Sequence, residues 1–438
     1  DDNKIDQIKN IFKYSNLVFL QGGPGTGKTT LIIKLILELL QIDNFLNIGL
    51  SAPTGKATAR LKEALNDKKN ISFSKFLDQI EFQTLHRWIL NSQNKSLKLK
   101  FKLKELDIFI IDEMSMVNID LIESVLNLLA KDCKIILVGD KNQLSPVNNC
   151  SIWNYLFEYS DNSSIKSCVV NLEKTYRNIG DIALISSLIF NNDFSLLNQK
   201  IKELEKDNNS KEITISKSRE KDIPKDLLFS ITSHLKQLNI STSNLSKKKY
   251  IFDESIDNLL LNEKDLVDKI FLDLQSHLIL CEKNSGIWSV EYLNEIVFGQ
   301  KKPYDLKTLK EGVPIMCTKN NNELGLSNGD IGVLIGLKNK RKYLFRKFND
   351  NNEEIVALID PSNLENVVPA IAITIHKSQG SESEKVNILW SQNYRRNQYA
   401  VKEKKDNQNI FCRDNFERRL FYTAVTRAKK SLNIYYLN

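Results

Sequence analysis

The sequence predicts an α/β protein made of two strand–helix blocks, with a small antiparallel β insertion in the second. Three observations carry that prediction. Over roughly the first 175 residues, short apolar segments alternate with amphipathic helical patterns. A second alternating block closes the chain, and between 313 and 360 the pattern changes to closely spaced β segments joined by turns. Hydrophobic residues make up 41% and charged residues 26% of the 438. That balance supports a packed core and excludes a wholly disordered chain.

Taken in order, the expected strands of the first block are 16–20, 47–51, 107–111, 134–138 and 168–172, with helices at 28–41, 55–66 and 118–130. Apolar runs separated by helices suit a parallel sheet covered on both faces. The stretch from Phe190 to Asp265 is rich in Lys, Asn and Ser and reads as helices and loops. The second block contributes strands at 277–281, 385–390 and 431–437. Segments 314–318, 330–337, 342–348 and 354–359, with turns at Asn328-Gly329-Asp330 and 349–352, read as a small antiparallel barrel. The basic segment 394–405 reads as a surface loop, and no repeat recurs at periods of 20–50 residues.

Several function classes drop out at this level. The longest apolar run, Leu31 to Leu40, is broken by Lys34 and Glu38 and is too short to span a membrane. The chain opens Asp1-Asp2-Asn3-Lys4 with neither Met nor an apolar signal core, which suggests a trimmed fragment of a cytoplasmic protein. The six cysteines form no CxxC pair, and the four histidines fall at no ligand spacing with them, so neither a zinc site nor a disulfide framework is expected. A net charge of +8 permits nucleic-acid binding without arguing for it. At about 150 residues per domain the length suggests about three domains.

The chemistry concentrates in GGPGTGKTT, Gly22-Gly23-Pro24-Gly25-Thr26-Gly27-Lys28-Thr29-Thr30. It lies between an expected strand and an expected helix, where glycines let successive backbone N–H groups point at phosphate oxygens. Lys28 would reach the β/γ-phosphates of ATP, and Thr29 would offer a hydroxyl to Mg²⁺. The apolar run Ile108–Ile111 ends in Asp112-Glu113. Asp112 suits the Mg²⁺, and Glu113 suits a base for the attacking water, which points to hydrolysis rather than transfer to a second substrate. A third strand, KIILVGD, leads to Gln143, whose neutral amide can bond phosphate or water and so report which is present.

The ordered set GGPGTGKTT, APTGKATARL, TLHRWI, IIDEMSM, LVGDKNQLSPV, LEKTYRN, TIHKSQGSE and YTAVTRAK resembles the motifs of superfamily 1 helicases. In wording it is most similar to the RecD family, the alpha subunit of exodeoxyribonuclease V. The resemblance runs from Gln7 to Lys429 and implies two RecA-like P-loop helicase domains, 1–170 and 171–438. The first would carry a short insertion near 88–105, the second an SH3-like β-barrel near 313–362. It implies that Gln7 reads adenine, Tyr176 stacks on the base, and Arg177 and Arg427 meet the γ-phosphate of an ATP held between the two domains. Gly380 and Glu382 would support that site. Pro53, Thr54, Thr84, His86, Thr374, His376 and Lys377 match family contacts to single-stranded DNA.

The activity implied is ATP-driven 5′→3′ DNA translocation and unwinding, in a RecBCD-type exodeoxyribonuclease V acting in recombinational repair of DNA ends. RecB and RecC would be partners through an N-terminal domain, and Gln7 here lies almost at the start, so that domain is trimmed away or absent. The segment 88–105 is short for a strand-separating pin. No nuclease constellation is visible. Rival readings are a stand-alone helicase acting on DNA or RNA, a non-motor interaction subunit, and a P-loop ATPase acting on protein.

Overall fold

The computed structural model describes residues 2–66, 76, 78–93, 101–145, 152–158, 163–174, 180–206, 210, 212–218, 222–248, 263–321, 323–336, 340–348, 354–391, 412 and 414–437. The chain divides into two compact units, Asp1–Asn178 and Ile179–Asn438. The sequence-based division at 170/171 falls inside the last strand of the first unit.

That unit holds a six-stranded sheet of β1 (Leu17–Gly22), β2 (Ile48–Ala52), β3 (Ile80–Thr84), β4 (Ile108–Ile111), β5 (Lys134–Gly139) and β6 (Val169–Leu172). The order is β3-β2-β4-β5-β1-β6, and every pair is parallel. The central strands β2 and β4 are buried along their whole length, which is why they read as unbroken apolar runs rather than alternating ones. Flanking them are α1 (Asp2–Ile11), α2 (Lys28–Ile42), α3 (Gly55–Asn66), α4 (Leu85–Gln93), α5 (Ile119–Leu126), α6 (Ile152–Glu158) and α7 (Ser163–Lys166). Helix α2 buries Leu31, Ile32, Leu35, Ile36 and Leu40 against the sheet. The Asn118 side chain accepts from the Leu121 amide and opens α5. That helix ends four residues short of the expected 118–130.

The second unit holds β7 (Ile213–Ser218), β8 (His277–Cys281), β14 (Ile373–Thr374), β15 (Ser383–Trp390) and β16 (Ala428–Leu437) in a parallel sheet ordered β14-β8-β15-β16-β7. Strand β7 corrects the expectation of helices and loops alone between 190 and 265. Among the described residues it is an edge strand, paired with β16. An edge strand buries fewer residues, so ITISKS carries a weak apolar signal. Among the described residues of that stretch, α8 (Asp181–Phe190), α9 (Phe194–Lys206) and α10 (Lys225–Ser246) are helical, and the remainder of the expectation lies outside the described residues.

Between β8 and β14 lies the antiparallel sheet of β9 (Pro314–Cys317), β10 (Ile331–Ile335), β11 (Lys342–Phe348), β12 (Glu354–Ile359) and β13 (Val367–Pro369), ordered β12-β11-β10-β9-β13. The insertion is present with one strand more than expected. The pairs leave β12 and β13 at its edges, so closure into a barrel is not part of the described pairing.

One face of this sheet shares a core with α10 and the helix Lys264–Ser276, through Leu245, Val267, Ile270 and Phe271 against Val333, Ile335, Leu344 and Leu358. At the junction the buried Glu311 carboxylate accepts from Ser246 Oγ, Ser243 Oγ (3.2 Å) and the Gly336 amide (2.9 Å). Asn239 Nδ2 of α10 donates to the Glu311 carbonyl at 2.8 Å.

Candidate functional site

The loop between β1 and α2 is closed by its own atoms. Gly25 and Gly27 take φ of 74° and 82°, which glycine adopts without the Cβ penalty. Gly27 immediately precedes α2, so unpaired amides and the positive end of the helix dipole face the loop. Thr26 Oγ1 donates to the Gly23 carbonyl at 2.8 Å. Lys28 Nζ donates to the Gly22 and Gly23 carbonyls at 2.7 and 2.9 Å. A Cβ on Gly22 would lie 2.5 Å from Thr26 Oγ1 and 3.0 Å from Leu172 Cβ. Pro24, Gly25 and Thr29 are half-buried, and Thr30 is exposed. Gln7 is exposed on α1.

Strand β4 delivers the acidic pair. The Asp112 amide donates to Ser51 O of neighbouring β2 at 2.8 Å, and Asp112 Oδ1 accepts from the Glu113 amide at 2.8 Å. Glu113 sits at φ 55°, left-handed backbone that costs a residue with a Cβ about 1 kcal/mol. Burial first, then the Glu113 carboxylate, push Asp112 up to about 6, against the opposing pull of Lys28 and the Glu113 amide. Two carboxylates crowded together beside an ammonium fit a divalent cation, which relieves their repulsion. The oxygen-only donors Thr29 and Asp112 suit Mg²⁺, and those two residues would hold it.

The loop after β5 folds on Asp140, whose Oδ1 accepts from the Asn142 amide at 2.9 Å and whose carbonyl accepts from the Gln143 amide at 3.2 Å. Gln143 is buried, and its Oε1 has no hydrogen-bond partner among the described residues. An acceptor in that state is ready for a donor such as water. Gln21 is a site residue that the sequence reading missed. At the end of β1, its Oε1 accepts from Trp153 Nε1 (3.0 Å) and the Lys141 amide (3.3 Å), tying the phosphate loop to the Gln143 loop. A Cβ on Gly139 would come within 2.8 Å of the Trp153 ring. The available signal was a polar residue ending an apolar strand.

Lys28, Asp112, Glu113 and Gln143 therefore gather beyond the carboxyl ends of the adjacent strands β1, β4 and β5, where open α/β sheets bind ligands. Pro53 and Thr54 follow β2 on the same edge, and Thr84 ends β3. Thr54 Oγ1 accepts from the Ala57 amide at 3.2 Å and Thr84 Oγ1 from the Arg87 amide at 3.4 Å, so both hydroxyls also cap helices. His86 is exposed at the start of α4.

In the second unit, Thr374 ends β14, and its Oγ1 accepts from the Lys377 amide at 3.4 Å. His376 and Lys377 follow in a short 3-10 turn. Gly380 has φ 71° with no atom within 4 Å of where a Cβ would sit. Glu382 lies 3.7 Å from Lys429 Nζ. Arg427 is buried and holds its own unit together: Nε donates to Thr423 O (2.9 Å), Nη1 to Ser381 O (3.2 Å) and Nη2 to Thr426 Oγ1 (3.2 Å). Gly380, Glu382 and Arg427 thus collect where β15 and β16 begin. Tyr176, Arg177 and the basic segment 394–405 lie outside the described residues. Among the described residues no His/Cys/Asp/Glu cluster could hold a metal by itself, and no helix is long and apolar enough to cross a membrane.

Residues 7–149 match the model of an AAA domain, and residues 337–438 match that of a UvrD-like helicase C-terminal domain. The chain is 32% identical to the RecBCD enzyme subunit RecD of Buchnera aphidicola subsp. Schizaphis graminum, over 96% of this chain and 70% of that protein. The same subunit of Buchnera aphidicola subsp. Acyrthosiphon pisum is 30% identical with the same coverage. Among solved structures, a Pif1 helicase from Bacteroides aligns with a TM-score of 0.49 and 18% identity, covering 98% of this chain and 91% of that one.

Proposed function

Because the chain belongs to the RecD family, we propose that it is an ATP-dependent DNA helicase that translocates 5′→3′ along a single strand. The observation that carries the reading is the meeting on one sheet edge of Lys28, the Asp112–Glu113 pair and a Gln143 Oε1 with no partner among the described residues. Lys28 neutralises the β/γ-phosphates, and the loop N–H groups of Gly23 and of Gly25 to Thr30 cradle them. Glu113 takes a proton from the attacking water and Gln143 orients it. Bound Mg²⁺ would supply charge neutralisation on the phosphate oxygens. Gln7 and Tyr176 are assigned to the base, Arg177 and Arg427 to the γ-phosphate, and Gly380 and Glu382 to support of that site. A guanidinium so placed is worth about 10³–10⁵ in rate in related phosphoryl-transfer sites.

Pro53, Thr54, Thr84, His86, Thr374, His376 and Lys377 are assigned to the strand. Hydroxyls, imidazoles and amides at loop tips grip phosphates without reading sequence, as a motor on any strand requires. Opening one base-pair step costs about 1.4 kcal/mol, and a tenfold difference in grip between two states of the cycle supplies about that much. Its relatives are named as subunits of a RecBCD enzyme, so the chain would work beside RecB and RecC; with the helicase reading, that work would be on DNA ends in the cytoplasm. The decisive experiment is steady-state ATP hydrolysis with and without oligo-dT. Strong stimulation supports the motor, and hydrolysis indifferent to DNA refutes it. Co-purification with RecB and RecC separates a holoenzyme subunit from a stand-alone helicase.

A further inference from the structure

We propose that Phe416 is a base-stacking residue of the strand-binding surface, acting beside His376 and Lys377; the inference rests on the strand-binding reading and deepens it. Phe416 lies in the first turn of the helix Asn415–Val425. That helix buries Glu417, Arg418 and every residue from Leu420 to Val425, yet Phe416 is 54% exposed. Several large apolar side chains are exposed elsewhere; Phe416 differs in lying against a residue assigned to the strand. Its neighbour is the His376 imidazole, 6.1 Å away between ring centroids and inclined by 30°. No hydrogen bond engages the His376 ring nitrogens among the described residues, and burial holds its pKa below the ordinary value, so the ring is neutral at pH 7.

The adjacent Lys377 ammonium is half-buried. Its contact among the described residues is Met316 Sδ at 3.9 Å, with no carboxylate against it. Burial and the nearby Lys302 both weaken its hold on a proton, the signature of a cation lacking an anion. The Asp414 carboxylate, which caps the Phe416 helix, accepts from the Glu417 amide. A flat apolar ring against His376, followed in sequence by a lysine that no described carboxylate pairs, matches the two parts of a nucleotide, base and phosphate. A purely apolar partner would bury Lys377 without an anion. Phe416 offers a face and no hydrogen bonds, so it would stack on any base, as sequence-independent binding needs.

The test is direct binding of the chain to oligo-dT carrying one 2-aminopurine, alongside an abasic strand of equal length. Phe416→Ala should weaken binding to the base-bearing strand about tenfold and bind the abasic strand as the wild type does. Phe416→Leu, which keeps apolar bulk, should weaken it similarly, whereas Phe416→Trp should retain both affinity and the fluorescence change. Wild-type affinity in the Leu variant, or an equal loss on the abasic strand, overturns the inference. If the wild type binds no oligo-dT, this inference and the strand-binding reading fall together. If it binds and stacks but hydrolysis ignores DNA, stacking stands and the motor reading fails.

Discussion

Replacing Gly312 by Ala should strip stability from the second unit far beyond the loss of glycine's flexibility. Gly312 adopts φ +88°, and a Cβ there would lie 2.5 Å from the Asn239 amide nitrogen, 2.6 Å from its Cα and 2.9 Å from the Leu238 carbonyl carbon. All three are backbone atoms of α10, which cannot swing aside as a side chain can. The left-handed conformation costs about 1–2 kcal/mol, and prying the backbones apart costs about 1–3 kcal/mol more. For a unit of this size the sum lowers the thermal midpoint by roughly 4–20 °C. Gly329→Ala is the matched control, since Gly329 has φ +95° and no atom within 4 Å. It should show the conformational cost alone. Scanning calorimetry of both variants decides the matter: equal midpoints would mean that the contact with α10 contributes nothing.

Further outcomes follow from the sites. Lys28→Gln should lower oligo-dT-stimulated phosphate release about 10²–10³-fold by removing charge stabilisation, and activity above a tenth of wild type would exclude the assigned role. Glu113→Gln should cut turnover about 10²–10⁴-fold while a fluorescent ATP analogue still binds; loss of binding would move Glu113 from base to structural residue. Glu282, buried at the end of β8 and accepting from Ser391 N (2.9 Å) and Oγ (3.0 Å), is pushed up to about 7, chiefly by burial. A carboxyl raised from 4.5 to 7 takes up a proton on folding, so its contribution falls as pH rises between those values. Glu282→Gln should therefore gain about 3 kcal/mol relative to wild type between pH 4.5 and 8 in denaturant titrations, and parallel pH curves would refute this. The buried pair His277 and His234, lowered to about 3 and 4 chiefly by burial, works in the opposite sense and loses stability as pH falls below 6.5. Only the difference between variant and wild type therefore isolates Glu282. Trp153→Phe should cost about 1 kcal/mol through the lost donor to Gln21, read by chemical denaturation, with an unchanged midpoint as the contrary result.

What the sequence made legible is what local chemistry forces. A phosphate loop needs glycines at fixed offsets, and Gly25 and Gly27 take the positive φ that their spacing implied. Central parallel strands must be apolar on both faces, so β1, β2, β4 and β5 were found within a residue or two. Edge strands carry no such demand. β7 pairs on one side and went unrecognised, as did the two-residue β14; β3 was missed because two of its four buried residues are the polar Glu81 and Gln83, whereas the edge strand β6 was found. Contacts between distant segments were invisible for a different reason. Gln21 meets Trp153 across 132 positions, and Glu311 meets Ser246 across 65; neither residue type is unusual where it stands.

The same contacts couple the antiparallel insertion to the loop proposed to bind the strand. Strand β13 pairs with β9, and the Ala370 amide then donates to Pro314 O at 2.8 Å. Within three residues the chain joins the parallel sheet as β14, opposite β8, and Thr374, His376 and Lys377 follow at once. Lys377 lies back over Met316 of β9. The loop is therefore pinned to both sheets, and the antiparallel sheet is pinned in turn to α10 by Glu311 and Gly312. A displacement of that sheet cannot be absorbed by a slack linker, because none lies between β13 and Thr374. It must be passed to the loop. Rigidity of that kind is what a motor's grip requires, since work is delivered only when phosphate contacts move as a body rather than one at a time.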